Sequence, residues 1–285
     1  MGLFNIFKKK TALPANEPEA ELERLENFPE LLMFKLLFIN KPELNINKIL
    51  TEAKTYFTNI EGSENEGSLL FSFPGIKIEF ADAIIDAQCV IAQNENISLP
   101  ETAFQQNWNW QEANDVAAEC KYEVLVTDML SRMLEYKQRV NWFMNFLVAV
   151  TRATKPDAVY SFHSQKIIKP ADLISNWDSV EKQALYSICN VRLYNISDSA
   201  KKELLMDTVG LHSLGLPDFQ IRFVDFEANE IAGLLWNYAY YIYDYGDVIE
   251  NGNTLEGTTT GTKWKCERIV SPLNPERVII SVLPN

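Results

Sequence analysis

The chain has 285 residues, 47% hydrophobic and 12% aromatic, so it can bury a sizeable interior without a disulfide framework and lies far from a disordered composition. Its 26 basic and 39 acidic residues leave a net charge of −13, which opposes phosphate backbones and excludes nucleic acid as a principal partner. The 4 cysteines form no CxxC pair and no Cys/His cluster; they sit in apolar or alternating segments, as reduced thiols of a cytoplasmic protein do.

The first ten residues, MGLFNIFKKK, put apolar residues before lysines, the reverse of a secretory signal, and no apolar run of membrane length follows. Gly2 makes no myristoylation motif, because Ile6 stands where Ser or Thr is required. The segment reads either as a weak interfacial anchor, with Leu3, Phe4, Ile6 and Phe7 beside Lys8, Lys9 and Lys10, or as a frayed terminus. One short apolar patch gives marginal membrane affinity, which favours the terminus and no integral membrane association. TALPANEPEAELERLE continues with prolines and glutamates. Residues 1–27 are therefore expected to be a flexible basic-then-acidic tail, and 28–285 a single α+β domain with possible halves 28–130 and 131–285.

LLMFKLLFIN, from Leu31, reads as a buried strand, and Asn45 caps a helix carrying Ile46, Ile49, Leu50, Ala53 and Phe57. After the loop EGSENEG, LLFSF meets Pro74-Gly75 and continues as IKIEFADA, a hairpin with one wet face. A loop rich in Asn and Gln leads to a helix with Trp110, Ala113, Ala117 and Cys120 at helical spacing, then to the strand YEVLVTD. The order β-α-β-β-α-β predicts a ferredoxin-like first half. The helix from about Tyr136 to Ala153 is apolar on nearly every side and hence buried. AVYSFHS gives a short strand and ADLISNW a smaller helix; YSICNVRLYNI, KELLMDTVGL and FQIRFVDF follow as strands. ANEIAGLLWNYAYYIYDYG is a long helix stopped at Gly246, Asn251-Gly252 is a tight turn, and CERIV and RVIISVL close the chain. The fold class is α+β: two sheet-and-helix halves sharing a core, the second mostly antiparallel with one long helix.

GLHSLG and GNTLEG have the GxxxxG spacing but lack the Lys-Ser/Thr pair of a phosphate loop, and no GxGxxG, HExxH, GxSxG or EF-hand pattern occurs. His163 and His212 are the only histidines, so a general acid or base near neutral pH is most simply one of them, or else a perturbed carboxylate. Asp82, Asp86, Asp207 and Asp218 lie near turns without metal-loop spacing, and the usual role of Asp218 after a proline is to hold its own turn. The catalytic candidates are His163, His212 and Asp218; no metal ligands and no cofactor are expected. Gly210 and Gly215 bracket His212. They predict either a support that presents His212 at a sheet end, beside His163 if the two strands are neighbours, or a β-bulge in a core strand. The tyrosines from Tyr238 to Tyr245 wrap too far round their helix to be all core, which marks Tyr240 and Tyr241 as interface residues.

At MDTVGLHSLGLPDFQ and DVIENGNTLEG the chain resembles a bacterial family of uncharacterised proteins, domain of unknown function 4261, over approximately Phe34 to Pro284. Members of that family often carry Asp-Gly-Asp-Thr-Ile-Gly where this chain has Asn251-Gly252-Asn253-Thr254-Leu255, so two acidic positions are amides here, against a metal role for that loop. The resemblance implies fold boundaries and a bacterial cytoplasmic setting, and carries no catalytic residues. Candidate binding residues are thus Gly210, His212, Gly215, Tyr240, Tyr241, Asn251 and Asn253. The expected function is a non-enzymatic binding or protein-interaction module, extending to the neutralisation of a basic partner such as a toxin. The alternative is a small-molecule enzyme with a His/Asp cleft between the halves.

Overall fold

Alternation in the first apolar run puts Phe34, Leu36 and Phe38 on one face of β1 (Met33–Phe38) and Leu37 on the other, and all four are buried. A strand of this kind needs cover on both faces. In the computed structural model, which describes residues 25–65, 67–80, 82–94, 96–197 and 202–285, β1 lies well inside a seven-stranded sheet. The expectations for the first ten residues fall outside the described residues.

From β1 the chain enters α1 (Ile46–Ala53), where the Asn45 side chain accepts the Lys48 N–H at 3.1 Å. Strands β2 (Glu61–Asn65), β3 (Ser68–Phe80) and β4 (Ala83–Asn94) form a meander. The short helices α2 (Glu101–Gln105) and α3 (Ala113–Glu119) then lead to β5 (Tyr122–Met129). The buried helix α4 (Tyr136–Thr154) precedes β6 (Ala158–Ser161) and β7 (Lys166–Ile168), and the sheet order is β2-β3-β4-β5-β1-β6-β7. Helix α4 covers one face: Phe143 meets Phe34, Phe146 meets Phe71, and Trp142 meets Phe73 edge-on at 5.2 Å. Helices α2 and α3 cover the other face, over Leu37, Tyr160 and Ile167.

The second sheet follows α5 (Pro170–Asp178) and α6 (Leu185–Ile188). It is built from β8 (Asn190–Ile196), β9 (Glu203–Val209), β10 (Asp218–Phe223), β11 (Thr254–Glu256), β12 (Lys263–Val270) and β13 (Val278–Leu283). Its order is β11-β12-β13-β10-β9-β8, with β10 and β13 parallel and the other pairs antiparallel. Helix α7 (Ala228–Tyr245) buries Ile231, Leu235, Tyr238 and Ile242. These residues belong to the same hydrophobic cluster as Phe34 and Phe143, so the two sheets share one core. The Tyr136 hydroxyl of α4 donates to the Tyr243 carbonyl of α7 at 2.6 Å.

The α+β class and the mostly antiparallel second half are as the sequence pattern implies. The ferredoxin-like order of the first half is corrected. In the seven-stranded sheet β4 and β5, the strands joined by α2 and α3, pair directly and antiparallel, whereas a split βαβ unit sets another strand between the two parallel strands that its helix joins. Pro74-Gly75 is no hairpin turn: β3 runs through it with an irregular register between Phe73 and Lys77, where proline leaves a ladder position without a donor. The first sheet also draws β6 and β7 from beyond residue 130, so the two sheet units do not divide there. Tyr186 to Ile188 are helical rather than strand. At the other end, Leu25 and Asn27 of the expected tail are hydrogen-bonded to Arg268, Leu216 and Val278. Among the described residues no helix is long and apolar enough to cross a membrane.

Candidate functional site

Strands β9 and β10 are joined by a 3-10 turn, Leu211–Leu214, that doubles back over the end of the sheet. Gly210 opens it at φ +129°, and a Cβ there would stand 1.9 Å from the Ile188 carbonyl oxygen, so no other residue fits. The reversal brings the backbone N–H groups of Gly210, Leu211 and His212 within 3.3–3.4 Å of the Asp218 carboxylate. His212 Nδ1 meets Asp218 Oδ2 at 2.8 Å.

Asp218 belongs to a buried ionic frame. Arg277 Nε donates to Asp218 at 3.0 Å, and its Nη2 donates to Asp207 at 2.7 Å and to the Thr208 carbonyl at 2.8 Å. Its Nη1 donates to the carbonyl of Pro275. Arg192 completes the frame on Asp207. Two carboxylates thus face two guanidiniums, with the remaining acceptor positions filled by Thr208 and backbone N–H groups. Burial alone pushes the Asp218 carboxyl up, but the His212 hydrogen bond, the Arg277 charge and the Thr208 hydroxyl outweigh it and hold the group at about 2. Asp218 is therefore an anion that orients His212: it accepts from Nδ1–H, and the neutral ring keeps its lone pair on Nε2.

His163 follows β6 in the turn that leads to β7. Its Nε2 lies 2.6 Å from the Leu31 carbonyl, which can only accept, so Nε2 carries the proton and Nδ1 the lone pair. Burial is the main cause that lowers its basicity; His212 and Arg139 act in the same direction, opposed by the Leu31 bond and Glu30. The two imidazoles stand edge to face, 5.7 Å between centroids, although they belong to different sheets.

Glu30 completes the group, and three contacts fix its backbone. Its N–H donates to the Ser213 carbonyl at 3.0 Å, Arg139 donates to its carbonyl, and the neighbouring Pro29 packs on Gly215. Gly215, at φ +81°, is where a Cβ would press on Pro29 at 3.1 Å. The Glu30 side chain remains 52% exposed, with Oε2 3.6 Å from His163 Nδ1. One donor atom each from Glu30, His163 and His212 lies within 4.8 Å of the others. Glu30 and His212 border an open cavity of about 370 Å³ lined also by Glu26, Arg132 and Glu276.

The structure therefore brings together His163, His212, Asp218 and Gly210, with Gly215 supporting them through Pro29. The two histidines are neighbours across the sheet junction, not along paired strands. Tyr240 and Tyr241 stand elsewhere, partly exposed on α7, where Tyr241 stacks on Tyr245 at 5.0 Å. Asn251 and Asn253 hold their own turn, their side chains accepting the N–H groups of Arg268 and Glu250. Asp86 pairs with Lys77 on the surface. Sequence reasoning missed Glu30, Arg192 and Arg277; the one available signal was a lone arginine inside the apolar strand NVRLY and another at the head of the apolar run RVIIS. The absence of ligand spacing does not forbid the Glu30, His163 and His212 group, because its members come from three separate segments.

Residues 207–281 match the model of a family described as Domain of unknown function (DUF4261), a span that contains Asp207, His212, Asp218 and Arg277. The resemblance read from MDTVGLHSLGLPDFQ holds over that segment. No curated protein and no solved structure matches the chain.

Proposed function

We propose that the protein is a cytosolic binding module whose functional centre is the junction between its two sheets. One observation carries the reading: two imidazoles from different sheets, each held at one ring nitrogen by an internal acceptor, meet the Glu30 carboxylate, with His163 Nδ1 3.6 Å from it and one donor atom of each of the three residues within 4.8 Å of the others. What converges there is a set of acceptors on a rigid frame, and such a set captures a ligand. Four free, buried cysteines support the reducing compartment. The charge of −13 and the tyrosines of α7 support a further contact with a basic protein, the class to which a neutralised toxin would belong.

A specific observation favours the enzymatic alternative as a second reading. The His212–Asp218 pair has the geometry of an imidazole oriented by a carboxylate for proton transfer.

Affinity capture from a lysate of the native cell, with mass spectrometry of proteins and small molecules, tests both. The junction reading expects a stoichiometric ligand that is retained by the Tyr240→Ser/Tyr241→Ser variant and lost from a folded His212→Gln variant. Loss from the tyrosine variant alone would move the functional surface to α7. Turnover of a captured metabolite by the wild type would favour the enzyme.

A further inference from the structure

Resting on the junction as the functional centre, we propose that Glu30, His163 and His212 form an open three-ligand site for a divalent first-row transition ion of the zinc class. The donor set is two imidazoles and one carboxylate, a combination used for zinc and for non-haem iron. A tetrahedral ion with bonds of ~2.0–2.2 Å sets its donors roughly 3.3 Å apart. His163 Nδ1 and Glu30 Oε2 are already at 3.6 Å, and the widest pairing of one donor per residue is no more than 4.8 Å.

A second observation, independent of the spacing, points to a metal. Metal-binding histidines donate their other ring N–H to a carboxylate or a backbone carbonyl, which fixes the tautomer and aims the lone pair. Both arrangements are present: His212 Nδ1 on Asp218 at 2.8 Å, and His163 Nε2 on the Leu31 carbonyl at 2.6 Å. Asp218 is in turn fixed by Arg277 and Thr208, so the outer layer is itself hydrogen-bonded. Two imidazoles that each spend their proton on an internal acceptor thus leave one acceptor nitrogen apiece in a group that also holds a carboxylate, an arrangement that a cation relieves. Three protein ligands leave a fourth position for water or substrate, and two of the three, Glu30 and His212, line the cavity that Arg132 and Glu276 also line.

The test is titration of the intact, chelator-treated chain with Zn²⁺ by calorimetry, and with Co²⁺ by visible absorption. The expected result is one ion per chain, with the intense visible bands of low-coordinate Co²⁺. Because the Glu30 side chain faces solvent, Glu30→Gln folds as the wild type does and is expected to weaken binding at least ~10-fold, the lower end of what even an outer partner costs. His163→Gln, checked for folding by circular dichroism, is expected to abolish the Co²⁺ bands. Absence of stoichiometric binding by the wild type overturns the proposal, as does unchanged affinity in Glu30→Gln together with a folded His163→Gln. If the wild type binds no metal while His212→Gln still loses the captured ligand, the metal proposal falls and the junction reading stands. If the metal binds as described and His212→Gln retains the captured ligand, the site holds a metal and that ligand belongs to another surface.

Discussion

Asp128 in the first sheet and Asp218 in the second are both fully buried carboxylates facing a buried arginine, and they differ in where their remaining contacts lead. Asp128 accepts from the Leu32 N–H at 2.7 Å, from Ser131 and from Arg139, whose Nη2 also reaches the Glu30 carbonyl. Every one of these partners is a piece of scaffold. Asp218 is held as firmly, by Arg277, Thr208 and three backbone N–H groups, yet it also holds the imidazole of His212, which meets His163 edge to face beside Glu30. The comparison teaches that a buried ion pair becomes a candidate site when one member holds a group that still has a valence to give beside other donors. The Asp128 pair serves that site indirectly, by fixing the segment that carries Glu30.

The largest expected effects are those that leave a carboxylate buried without its guanidinium. Arg277→Met strips a partner from Asp207 and Asp218 together, and Arg139→Met strips one from Asp128. Each is expected to lose about 3–5 kcal/mol in urea unfolding. Acid titration separates the two. Asp218 is held at about 2, below its ordinary value, so its contribution is present in full above about pH 4 and is lost as pH falls toward 2. Arg277→Met removes one cause of that depression and should move the loss to higher pH. An acid transition in Arg277→Met that stays where the wild type has it would break the comparison.

His212→Gln comes next, with an expected loss of about 1–2 kcal/mol, because Asp218 keeps its other donors. A buried base that donates to a backbone carbonyl and lies on an aromatic ring sharpens the contrast. Lys166, on β7, donates to the Tyr186 carbonyl at 2.7 Å and sits 4.0 Å above the Tyr186 ring, and burial pushes its ammonium down to about 8. Because the folded-state value lies below the ordinary one of 10.5, the unfolded chain binds more protons between those limits. Stability should therefore rise with pH from about 8 to about 10.5. Lys166→Met should remove that rise while changing stability at pH 7 by no more than about 1 kcal/mol. The smallest effect belongs to Glu30→Gln, within about 0.5 kcal/mol by thermal melting, since its side chain faces solvent.

Much of the fold was legible because period and punctuation agreed. Helix α4 read as buried from its unbroken apolar run, and α7 from its stripe and the stop at Gly246, while β9 and β10 stood out on either side of two glycines. Strand β2 was hidden because all its residues, EGSEN, are exposed and it pairs through backbone alone. In β4 the buried positions are Ala87, Cys89 and Ile91, two of them small, and the apolar Val90 and Ala92 between and after them mute the alternation. In the site, Gly210, His212 and Asp218 were readable from local spacing, because the turn that joins them is local. Glu30 was not, since it stands just beyond the glutamate-rich stretch that composition assigns to a tether, with no motif around it, and only tertiary contacts with Ser213 and Arg139 give it a fixed place.

The central claim is that internal acceptors lock the two histidines, neighbours beside Glu30, in opposite tautomers. With only 2 histidines in the chain, a long-range ¹H–¹⁵N correlation spectrum of the folded protein above the titration range of both rings reads this directly. The account predicts an Nε2–H tautomer for His163 and an Nδ1–H tautomer for His212, assigned by His163→Gln and His212→Gln. The same tautomer at both positions, or rapid averaging between the two forms at either, would contradict it.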